Sequence, residues 1–241
     1  MKKRLLLALW CVIPAVVLAF HFGPGQRHAA RDSAAAHLEA ARAAERAEDW
    51  PAAVAAYTGA LAALPEADPD ARWQARMARA KARMFTGELP EAMVELEGIL
   101  DEVHRAGGRP GLEAEVRAEA ATAQYYAAWL MRLEGATAEE WLPETEQARQ
   151  HFRLLAEQAG RTGDAAAKDG FEKNLESVIR LARMDLSELE ALPLPKQCEG
   201  CKNCSQKCRS QRESQCKKPG EKQPKDARGA SAGKRPDGTG S

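Results

Sequence analysis

Two kinds of hydrophobic pattern run along the chain. From Leu5 to Phe20 the residues are apolar without interruption, and the run continues through His21 to Phe22. Beyond residue 27 the apolar positions recur instead at helical spacing. In the segment Asp49 to Leu61, Ala53 is followed by Tyr57 and Ala60; in Gly87 to Leu100, Ala92 is followed by Leu96 and Ile99. Offsets of four and three place each trio on one helical face, small residue first, large residue next. Upstream, Ala41 and Ala80 hold matching positions in the preceding helices, where a small side chain lets two antiparallel helices approach closely. The unit is a helix-turn-helix. A third copy is carried by Ala148, Phe152 and Leu155, preceded by a long helix over about Leu112 to Glu134 and an expanded turn from Gly135 to Pro143. The stretch Asp164 to Glu190 then sets Phe171, Leu175, Val178, Ala182, Leu186 and Leu189 at helical spacing, as a terminal helix covering the last exposed face would. After the alternating Leu192-Pro193-Leu194-Pro195, which favours an extended backbone, regular structure is expected to end.

This arrangement resembles the tetratricopeptide repeat family, whose usual period is about 34 residues. Ala53 and Ala92 are 39 positions apart, and the surplus falls in the polar loop Glu66-Ala67-Asp68-Pro69-Asp70. The resemblance covers roughly residues 33 to 159 and implies an all-α solenoid of about three antiparallel helix pairs, closed by a C-terminal capping helix. It further implies a right-handed superhelix whose concave groove receives an extended peptide or a helix from a protein partner. Aligned to the family register, Leu38, Arg42 and Glu45 of the first repeat and Gln74, Met77, Lys81 and Met84 of the second face that groove. The family's clamp for chaperone C-termini is not matched, because Leu38 and Arg42 occupy two of its places.

Composition fits a helical body. Hydrophobic residues make up 44% of the chain but aromatic residues only 5%, so the core must come from closely approaching helices rather than from a β-sandwich, which wants β-branched and aromatic side chains. The overall net charge of zero conceals an asymmetry: residues 27 to 195 carry 20 Lys and Arg against 30 Asp and Glu, and residues 196 to 241 carry 12 against 5. A basic tail, either solvated or in contact with an acidic surface, follows an acidic body.

At the N-terminus, Lys2, Lys3 and Arg4 precede the apolar run, a basic region followed by a hydrophobic one. Sixteen apolar residues fall somewhat short of the ~20 that span a bilayer, though Phe22 and snorkelling lysines extend them. Residues 1 to 26 read as a retained signal-anchor, with cleavage after Ala19 as the alternative. Cys11 does not fit a lipidation site, since bulky Trp10 precedes it. In either case the basic residues stay in the cytoplasm. The body, residues 27 to 192, then faces the periplasm from the inner membrane or is released there.

Residues 193 to 241 form a Pro-, Lys- and Gly-rich tail expected to be disordered, with a cysteine cluster over 198 to 216. Cys198, Cys201, Cys204 and Cys208 are spaced C-x2-C-x2-C-x3-C, and Cys216 follows. The spacing is similar to the iron-sulfur run of bacterial ferredoxins, but Arg209 stands where that family has proline and no apolar residues flank the run. Zinc held by thiolates and disulfides formed outside the cytoplasm are the other readings. No resident cofactor is required.

The five histidines, at positions 21, 28, 37, 104 and 151, are scattered without metal-ligand spacing. Gly107-Gly108-Arg109-Pro110-Gly111 lacks the ending of a phosphate-binding loop and reads as a break between helices. Neither a catalytic residue nor a nucleic-acid partner is suggested. Two functional classes remain: a non-enzymatic, membrane-anchored interaction scaffold, and a metal-binding or redox protein working through the cysteine cluster.

Overall fold

The computed structural model describes residues 24–198, with the isolated positions Trp10, Val12 and Gln206. Among the described residues there are eight α-helices and one 3-10 turn, and no strand. The helices are α1 (Pro24–Arg46), α2 (Trp50–Ala63), α3 (Pro69–Met84), α4 (Leu89–Ala106), α5 (Pro110–Leu133), α6 (Ala138–Thr162), α7 (Ala165–Arg183) and α8 (Leu186–Glu190); the 3-10 turn is Lys196–Cys198.

Local chemistry sets the boundaries. Asp49, Asp68, Asp164 and Asp185 precede α2, α3, α7 and α8, and each carboxylate accepts a backbone N–H of the first turn, at 2.8 to 3.2 Å, satisfying a donor the helix leaves orphaned. Proline occupies the first or second position of α2, α3, α4 and α5, where its missing N–H costs nothing. Gly107 and Gly108 make the break expected after α4 with φ of 65° and 72°, a region other residues rarely enter.

From α1 to α7 each helix packs chiefly on the next in sequence, with lesser contacts between α3 and α5 and between α5 and α8. The nine residues of the three trios, Ala53, Tyr57, Ala60, Ala92, Leu96, Ile99, Ala148, Phe152 and Leu155, are all buried, as are Ala41 and Ala80. One hydrophobic cluster joins α1, α2 and α3. The largest joins α3, α4 and α5. A third joins α5, α6 and α7 around Ala121, Ala148 and Phe152. Helix α5 therefore lies at the centre, sharing its sides with both neighbours.

Three expectations need correction. The turn after α5 is not expanded: α6 already starts at Ala138, and Pro143 lies inside it. The Thr137 N–H donates to the Glu140 carboxylate at 2.8 Å, half of a capping box that fixes this start. The long helix before this turn is as expected, and α6 takes up the residues read as turn, so the extra length of this pair lies in both helices. Ala41 and Ala53 are 12 positions apart, as are Ala80 and Ala92, whereas Ala121 and Ala148, which share a cluster, are 27 apart. The surplus amounts to about two helical turns on each of α5 and α6. The terminal helix is likewise not continuous. Met184 is extended, Asp185 caps a new helix through Glu188, and Leu186 is exposed while Leu189 is fully buried. Finally, regular structure does not end at Pro195, because the turn Lys196–Cys198 follows and touches α5.

Helix α1 begins at Pro24, inside the segment assigned to the anchor. The apolar run lies outside the described residues apart from Trp10 and Val12, and no helix among the described residues is long and apolar enough to cross a membrane.

Candidate functional site

The first helices of the three pairs, α1, α3 and α5, carry the positions expected to line a groove. Arg42 and Gln74 are exposed on α1 and α3. Lys81 is exposed and its Nζ lies 2.8 Å from the Glu119 carboxylate, an ion pair that links α3 to α5. Leu38 is half-buried against the cluster of Ala41, Ala53 and Tyr57. Glu45 is half-buried and accepts the Tyr57 hydroxyl; burial first, and then this carboxylate, push the Tyr57 pKa up to about 12. Met77 packs on the central core. Met84, assigned to the groove, is a core residue only 3% exposed. It ends α3, and the tight turn into α4 folds it under Leu89 and Ala92. The structure thus leaves Arg42, Gln74 and Lys81 outward and uses the apolar members for packing.

Sequence reasoning missed the polar seam between α3 and α4. Arg79 and Arg83 both donate to the Glu95 carboxylate, which is 8% exposed, and Arg76 reaches it at 3.8 Å. Arg76 and the Trp73 indole also donate to Glu102, at 2.7 and 2.8 Å. Burial pushes the Glu102 carboxyl up, but these two bonds outweigh it and hold the carboxyl below its ordinary value. Glu88, Glu95 and Glu102 recur every seven residues facing Arg76, Arg79 and Arg83. That periodicity was the available signal. The arginines here are engaged in joining two helices.

A second polar chain ties α4, α5 and α6. The Glu113 carboxylate meets His104 Nδ1 at 3.1 Å and accepts from Arg117 at 2.8 Å, while Arg117 donates to His151 Nδ1 at 3.2 Å. Burial raises the Glu113 pKa, and the Arg117 and His104 bonds more than reverse this. Because a guanidinium only donates, His151 Nδ1 accepts, which leaves the ring proton on Nε2.

Two open clefts lie at the C-terminal end. One, of 480 Å³, runs between α6 and α7 past Arg153, Arg161 and Lys168. The other, of 790 Å³, lies between α7, α8 and Leu192. Among the described residues no group of His, Cys, Asp and Glu is placed to hold a metal ion. Cys201, Cys204, Cys208 and Cys216 lie outside the described residues, and of Cys198 only the backbone is described. Compared with models of known protein families, with curated proteins and with solved structures, the chain matches none.

Proposed function

We propose that the chain is a tetratricopeptide-like interaction scaffold, held by its N-terminal segment at the inner membrane with its body in the periplasm, whose first-helix face binds a peptide or helix of a protein partner. The observation that carries this reading is the succession of antiparallel helix pairs in which the small-large-apolar trios are buried while Arg42, Gln74 and Lys81 remain exposed on the first helices. Exposed polar residues on helices are available for recognition, and Lys81 would exchange its pair with Glu119 for one with the partner. The test is capture of partners from native membranes by the full-length chain. Arg42→Glu with Lys81→Glu is expected to lose the partner while melting within a few degrees of wild type, since a half-exposed ion pair contributes little. Equal recovery by the doubly reversed chain would remove the groove from consideration. The cysteine run supports a second reading as a soft-metal or redox module, because its C-x2-C-x2-C-x3-C spacing suits thiolate ligation. Elemental analysis and an absorption spectrum, with and without reductant, decide that reading separately.

A further inference from the structure

The cap does not finish at α8. Leu189 is fully buried with Ala128, Trp129 and Leu181, and the Arg132 guanidinium donates to the Leu181 and Met184 carbonyl oxygens, the latter at 2.6 Å. These contacts fix α8 on the extra turns of α5. The chain then leaves that anchor. Leu192 and Leu194 are 42% and 45% exposed, and Pro193 and Pro195 stiffen the stretch in an extended form. The 3-10 turn Lys196–Cys198 lies against α5. Lys196 Nζ is 3.8 Å from the carboxylate of Glu48, in the turn between α1 and α2. The segment therefore runs from the third helix pair to the first, with α3 between them in packing order. Glu48 lies just beyond the last turn of α1, which also carries Arg42 and Glu45.

We propose that Leu192–Cys198 is an intramolecular strap over the turn-side rim of the α1–α3–α5 face, and that a partner segment entering this face must displace it. This rests on the groove reading above. The strap buries little, and its ion pair with Glu48 joins side chains 75% and 70% exposed, a kind of contact that contributes little by itself. Its force is local concentration. Lys196 is only seven positions beyond the Leu189 anchor, a reach of at most about 25 Å, so a weak contact is presented at millimolar effective concentration, as short tethers do. A competitor then binds with its affinity reduced by the fraction of chains whose strap is open. The strap also describes its rival: an extended, leucine- and proline-bearing segment with a basic residue to face Glu48, suited to a body of net negative charge.

The test uses the full-length chain. Carbodiimide coupling should join Lys196 to Glu48, read by mass spectrometry of the linked peptides; absence of the link in the wild type would overturn the strap. A peptide of about 16 residues is then selected from a displayed random library on the Lys196→Glu chain, in which like charges open the strap. It should bind that chain, and the Lys196→Ala chain, about twofold to fivefold more tightly than wild type, and should suppress the Lys196–Glu48 link in wild type. The Lys196→Arg chain, which keeps the ion pair with Glu48, should bind the peptide as wild type does. Equal affinity across all four chains, with the link unaffected, would show that the strap gates nothing. Failure of the groove reading is distinguishable: Arg42→Glu and Lys81→Glu would then leave peptide binding unchanged while Lys196→Glu still acted. A library that yields no binder on the opened chain removes both.

Discussion

Tyr57 is packed into the seam between the first two helices, yet its hydroxyl stays useful because Glu45 accepts it there. Burial and that neighbouring carboxylate favour the neutral phenol, raising its pKa from 10.0 to about 12. A folded-state pKa above the unfolded one contributes stability that is complete below pH 10 and is lost as the pH rises toward 12. Melting temperature should therefore fall more steeply between these values for wild type than for Tyr57→Phe, which has no phenol proton to lose; parallel curves would contradict the assignment. At this scale the alanines were the legible residues. Ala53, Ala92 and Ala148 declare themselves by the apolar residues four and seven positions later, because contact between two helices imposes that rhythm. Met84 was not legible, since its burial depends on how tightly the following turn folds back, and spacing along one helix carries no such information. Lys81 is exposed, but its Glu119 partner lies 38 positions away on another helix, beyond any local pattern.

At the scale of helices, starts were encoded better than lengths. An aspartate or a proline marks the beginning of most of them, and the glycine pair after α4 marks an end. The length of α5 was legible, whereas the first residues of α6, up to Pro143, read as part of an expanded turn. Proline breaks a helix by lacking a donor and crowding the preceding turn, and Pro143 sits close enough to the start of α6 for the loss to be tolerated. The split between α7 and α8 was missed for the opposite reason: the apolar spacing continues across Met184 and Asp185 although the backbone does not. Asp185 is what starts α8, its carboxylate accepting the Glu188 N–H at 2.8 Å. Asp185→Ala should destabilise α8 by removing its cap, and its distinctive mark should be local, a rise in hydrogen exchange at Glu188 and Leu189 with α2 to α4 unchanged. Uniform loss of protection would mean that α8 is not a separable element.

Across the whole molecule, burial is unevenly distributed. Among the described side chains, α1 buries only Ala34 and Ala41, whereas α5 buries ten residues and borders three of the hydrophobic clusters. Opening free energies in such a body should rise from the N-terminal helix inward. Native-state hydrogen exchange is expected to release α1 first and the middle of α5 last; simultaneous exchange would indicate one indivisible unit. The helical class and the order of packing were readable because they follow from short-range spacing. The centrality of α5 was not, as it depends on what its extra turns meet. Because each helix from α1 to α6 leans mainly on its successor, the N-terminal pairs can yield one after another, while α8 holds the C-terminal end on α5. Under tension applied at its two ends it should peel by hairpins from the alanine-rich end and recoil by the same route, an elastic element in whatever it connects.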